Sequence, residues 1–100
     1  MKVQELIDLI ISEYPIYSMW DAEEIIGKKA EKVASGLDLD EHRWYSIYSI
    51  ATDVYKCDDG FVGIRGAYQS FSEQQGWSDI DVTCFAEEYE AVQTITYKPK

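Results

Sequence analysis

Asp38, Asp40 and His42 alternate along the chain, and His42 is its only histidine. In an extended segment, residues two apart project from one face. The three side chains would then converge as ligands for a divalent cation. The segment lacks the central glycine and the twelfth-position glutamate of an EF-hand loop. With one histidine, no site can be built on a histidine pair within one chain. A small enzyme or divalent-metal-binding domain centred here is the alternative reading; an exposed acidic connection is the simpler one.

The remaining reactive side chains are scattered. Cys57 and Cys84 have no second cysteine close in sequence and no helix N-terminus to lower their pKa. Cys84 is expected on the apolar face of a strand, in the core. Gly63-Ile64-Arg65-Gly66 lacks the glycine spacing and the Lys-Ser/Thr ending of a phosphate loop, and Arg65 is expected to pair with a carboxylate. Ser70, Ser72 and Ser78 sit in no nucleophile elbow. Neighbouring acids such as Glu23-Glu24 and Glu87-Glu88 are common on solvated faces and do not define a glycosidase pair. No catalytic residue, cofactor motif or metal set emerges, and the expectation is that the chain is not an enzyme.

The elements that would position these residues read as one α+β domain over residues 1–100. Val3, Leu6, Ile7, Ile10 and Ile11 repeat at helical spacing, and Pro15 predicts the end of that helix near Tyr14. A second helix is predicted from Asp21 as cap, with Glu24 completing a capping box and Trp20 and Ile25 placed as a hydrophobic staple. Glu24 and Lys28 would form an i,i+4 pair, and Gly36 would end the helix. Lys28, Lys29 and Lys32 would lie on its solvated half, with Gly27 as an anomaly inside it.

From Arg43 the residues turn β-branched and aromatic, predicting a strand over 43–57. Trp44, Ile47, Tyr48, Ala51 and Tyr55 also fit a helical stripe, with Asp40 as its cap. The turn at Asp58-Asp59-Gly60 favours the strand. With Asp59-Gly60 as the two-residue turn, Tyr55 would face Ile64 and Ala51 would face Tyr68. Gly63 and Gly66 would mark close packing or a bend in the return strand. Residues 72–79 read as a polar loop, Ile80 to Ala86 as a third strand, and Val92 to Tyr97 as a fourth after an acidic corner at Glu88–Glu90. The expected architecture is two N-terminal helices on one face of a four-stranded antiparallel meander.

Composition narrows the partners. Nineteen acidic residues against nine basic ones give a net charge of −10, and such a field repels nucleic-acid backbones and anionic membranes. Direct nucleic-acid binding and membrane association are therefore not expected. Glu5 and Asp8 interrupt the apolar N-terminal residues, so no secretory signal is read, and the cytoplasm is the expected compartment. Between Arg65 and Lys98 there is no basic residue, while Asp79, Asp81, Glu87, Glu88 and Glu90 lie inside. As i,i+2 pairs about 6.6 Å apart, Asp79/Asp81 and Glu88/Glu90 would present like charges at the scale of a nucleic-acid backbone. The competing reading is an acidic surface that only maintains solubility. Tyr14, Tyr17, Trp20, Trp44, Tyr45, Tyr48 and Trp77 exceed what one small core needs. Tyr45 and Trp77 are expected to face a partner or a second copy of the chain.

The run Cys57-Asp58-Asp59-Gly60-Phe61-Val62-Gly63-Ile64-Arg65-Gly66, followed by Phe71-Ser72-Glu73 and Gly76-Trp77-Ser78-Asp79, resembles small uncharacterised proteins of phages and bacterial mobile elements, over residues 42–100. The resemblance implies a strand at 43–57 and an accessory protein acting on a host or phage protein, and it carries over no activity and no site. The expected function is a non-enzymatic, acidic protein-interaction module that binds a basic protein surface, in its sharper form as a nucleic-acid mimic.

Overall fold

The computed structural model describes the backbone of residues 1–43, 47–70, 83–92 and 96–100, and their side chains except at 41–43, 47, 48, 68–70, 92 and 96. Helices α1 (Val3–Ser12) and α2 (Met19–Ile26) precede five strands: β1 (Glu31–Arg43), β2 (Ile47–Cys57), β3 (Gly60–Ser70), β4 (Phe85–Val92) and β5 (Thr96–Pro99). The strands form one curled antiparallel sheet in sequence order. The class is α+β, as expected, and the described residues hold five strands where four are expected.

The extra strand comes from the second helix being shorter than its pattern suggested. Ser18 is the cap: its backbone is extended and its Oγ accepts from the Asp21 amide at 3.2 Å. The helix therefore starts before Asp21, and Trp20 lies inside it, 68% exposed rather than stapled. It ends at Gly27, not Gly36, because Gly27 takes φ 57°, a left-handed conformation that costs other residues a Cβ clash. The anomalous glycine is the stop signal. Lys28 follows the helix instead of completing a pair with Glu24.

The residues beyond form β1, which pairs with β2 through three register shifts. Gly36 at φ 70° and Asp38 at φ 50° absorb the distortion. Its anchor is Asp53 of β2, 3% exposed, which accepts from Ser35 Oγ at 2.9 Å and from the Gly36 amide at 3.1 Å. Lys32 bridges Asp53 at 3.9 Å and Glu23 of α2 at 3.2 Å. A buried carboxylate is tolerated because these donors replace its water.

Of the predicted strand at 43–57, Ile47–Cys57 form β2 and Arg43 closes β1, while residues 44–46 lie outside the described residues. The β2–β3 turn consists of Asp58 and Asp59, so Tyr55 faces Val62 and Ala51 faces Gly66. That register differs from the expected one by two residues, which preserves every side chain's face. Of the predicted third strand, residues 80–82 lie outside the described residues and β4 runs from Phe85. Of the predicted fourth, Val92 closes β4, residues 93–95 lie outside the described residues and β5 runs from Thr96. The supposed corner Glu88–Glu90 is mid-strand in β4.

The main apolar cluster joins Val3, Leu6 and Ile10 of α1, Ile16, and Met19, Ala22 and Ile26 of α2 to Tyr55, Cys57, Val62, Ile64 and Cys84. Leu6 and Ile26 are fully buried, each contributing about 1.5–3 kcal/mol by apolar burial. Asp59, in the hairpin turn, accepts from the Val3 amide at 2.8 Å and so caps α1 from across the fold. Both predicted close-packing glycines are such: the Tyr89 ring lies where a Cβ on Gly63 would go, and Cys84 Sγ would be 2.6 Å from one on Gly66.

Candidate functional site

The acidic residues singled out on the later strands do not stand unopposed. Glu88 and Glu90 lie on β4, and β5 runs beside it in a register that sets Glu90 against Lys98. Lys98 Nζ lies 3.5 Å from Glu90, and Lys100 Nζ lies 3.4 Å from Glu88. The two lysines that end the chain thus neutralise the pair across the strand. Glu87 faces Gly63 and is half-buried, without an ion-pair partner among the described residues. Asp79, Asp81, Trp77 and Tyr45 lie outside the described residues.

The alternative site is likewise not assembled as its alternation suggested. Asp38 has a left-handed backbone, and the β1 ladder shifts register between Leu37 and Asp40. Strict two-residue alternation, the premise for a shared face, is therefore broken. The side chain of His42 lies outside the described ones; among those described, no three His, Cys, Asp or Glu residues group as metal ligands. Arg65 donates to Thr52 Oγ1 at 3.0 Å and has no carboxylate partner among the described residues.

Both cysteines are buried and free. Burial, reinforced by the charges of Asp21 and Asp53, pushes the Cys84 thiol up to about 12. Burial also raises Cys57, partly offset by the N-terminal ammonium. Neither thiol is poised as a nucleophile. Tyr55 is raised by burial and by the nearby Asp53 and Glu23, so its hydroxyl stays neutral.

What the fold does assemble is an open cleft of about 430 Å³ between the end of α1 and α2. Pro15, Ile16, Tyr17 and Ile25 give it an apolar lining; Glu13, Asp21 and Glu24 supply three carboxylates. None of the three has an ion-pair partner among the described residues. Beside the lining residues in the chain stand Tyr14 and Trp20, each 68% exposed, and Ile11 of α1 is 65% exposed. The segment from Pro15 to Tyr17 is tied to the sheet by the Cys84 amide, which donates to the Ile16 carbonyl at 2.7 Å.

Sequence reasoning missed this cleft: Pro15, Tyr17, Asp21, Glu24 and Ile25 are singled out there for other roles, and Glu13 and Ile16 are not singled out at all. Tyr14, Tyr17 and Trp20 belonged to the aromatic surplus, but Asp21 and Glu24 were assigned to capping. Moving the cap to Ser18 frees both carboxylates. The available signal was Ser18 itself, which stands three residues before Asp21 as a serine cap requires.

No protein-family model matches the chain, and neither a curated protein nor a solved structure does. Among the described residues, no helix is long and apolar enough to cross a membrane.

Proposed function

We propose that this protein is a non-enzymatic interaction module that binds a basic surface of another protein. The observation that carries the reading is the charge of the helical segment. Residues 1–26 hold Glu5, Asp8, Glu13, Asp21, Glu23 and Glu24 against Lys2 alone. Of those carboxylates only Glu23 has an ion-pair partner among the described residues. Unpaired, solvent-exposed charge of one sign steers an oppositely charged partner and raises its association rate. The β4–β5 acids, with lysines set against them, contribute less to this field.

Interferometry of the intact chain against a panel of basic and acidic proteins tests the reading. Basic proteins should associate at low ionic strength, faster than acidic ones, and the rate should fall steeply as salt screens the field. Equal, salt-insensitive binding of both classes, or none, would refute it.

A further inference from the structure

Resting on that reading, we propose that the cleft between the end of α1 and α2 is the seat of the partner. Its occupant is a cationic amphipathic protein segment that inserts aliphatic side chains and brackets them with lysine or arginine. The lining is apolar at Pro15, Ile16, Tyr17 and Ile25, which provides for the aliphatic part. Glu13, Asp21 and Glu24 provide for the cationic part.

The placement of two of these acids argues that they serve something other than folding. Glu13 is the C-cap residue of α1, and Glu24 lies in the last turn of α2. A helix C-terminus carries partial negative charge, so a carboxylate there is disfavoured and a cation is favoured. Neither helix has a basic residue in its last turn. Lys28 and Lys29 follow the α2 end and Lys32 pairs with Glu23. Among the described residues, however, no cation pairs with Glu13 or Glu24 or lines the cleft, so these two carboxylates face it unneutralised. Residues that break a local rule without internal compensation are expected at functional sites.

Tyr14 and Trp20 adjoin lining residues in the chain, and Ile11 lies two residues before Glu13. All three are more than half exposed, so we take them as the apolar surface a longer occupant would meet. Tyrosine and tryptophan dominate binding energy at protein interfaces. A contact spread beyond the cleft itself fits a polypeptide segment better than a small organic cation. The same carboxylates disfavour a nucleic acid or an anionic membrane.

Fluorescence anisotropy with a labelled amphipathic leucine–lysine peptide tests the assignment, with a lysine-only peptide and spermine as comparison ligands. The leucine–lysine peptide should bind saturably and more tightly than the lysine-only one. Glu13→Gln with Glu24→Gln should weaken it about tenfold at low salt, as loss of close charge partners does. Trp20→Ala, at an exposed position, should weaken it at least fivefold, on the scale of about 1 kcal/mol or more for an interface aromatic. Glu88→Gln with Glu90→Gln should leave it unchanged. Equal affinity for the lysine-only peptide, or indifference to Trp20→Ala and the double variant, would overturn the cleft while leaving the basic-surface reading standing. Competition by spermine at the leucine–lysine peptide's own affinity would overturn the polypeptide occupant. Absence of binding by either peptide would overturn the cleft, and the protein panel would still decide the broader reading.

Discussion

Two acidic regions of this molecule carry carboxylates in similar number and leave them in opposite states. On β4, Glu88 and Glu90 meet Lys100 and Lys98 across the strand gap. At the cleft, Glu13, Asp21 and Glu24 meet no cation among the described residues, and two of them sit at helix ends that disfavour them. The β4 acids looked exposed in sequence because the nearest bases are eight or more residues away; antiparallel pairing closed that distance. Of the cleft acids, Asp21 and Glu24 read in sequence as a helix cap and its capping-box partner, and the cap at Ser18 leaves both without that role. Linear charge density therefore ranks the two regions in the wrong order.

The contrast can be broken in several ways. The largest effect should come from Gly63→Ala, which forces a methyl group into the Tyr89 ring on the β3–β4 side. Overpacking of this kind costs about 1–3 kcal/mol, read as a fall in denaturation midpoint, and a Tyr89→Ala background should remove most of that cost. A matching loss for Trp20→Ala would contradict the exposed, unpacked position of that side chain beside the cleft-lining Asp21.

Alkaline pH probes the junction between the two regions. The folded Cys84 thiol titrates near 12, against 9.0 in the unfolded chain. Its folded value is raised, so its contribution to stability is complete below pH 9 and is lost as pH rises toward 12. Thermal melts of Cys84→Ala should show a shallower decline across that window than the wild type. Parallel declines would remove Cys84 from the account.

The smallest effects should differ in sign. Lys98→Gln with Lys100→Gln should destabilise by about 0.2–1 kcal/mol, the range of exposed pairs. Glu13→Gln with Glu24→Gln should stabilise by roughly 0.3–1 kcal/mol at low salt, because each removes a negative charge from a helix C-terminus. Both changes should shrink in high salt. Two shifts of the same sign would abolish the distinction between a paired and an unpaired acidic region.

How far the sequence was legible follows from how local each determinant is. The α1 periodicity, the Asp58-Asp59-Gly60 turn and the antiparallel order all rest on neighbouring residues, and they appear in the fold with shifts of a few residues. The two-residue error in the hairpin register is harmless to the core because strand faces repeat every two residues. β1 was not legible because its shape depends on Asp53, more than ten residues away, reaching Ser35 and Gly36. The cleft was hidden by one competition: Ser18 and Asp21 are both good caps, and the winner decides where two carboxylates point. The expected partner-facing residues Glu88 and Glu90 were read correctly as acidic and misread as unopposed, for want of the β5 register.

The hydrogen bond from the Cys84 amide to the Ile16 carbonyl joins the cleft lining to the segment entering β4. Beside it the Cys84 sulfur lies 3.8 Å from Met19 Sδ, sealed under the helix. The molecule thus carries its own chemical clock. In a Cys57→Ala variant, an alkylating reagent reaches the buried Cys84 thiol only through local opening. Lifting of the Ile16–Met19 segment is the opening that would tie labelling speed to the cleft floor. A ligand seated in the cleft would slow the count, and one bound anywhere else would leave it running.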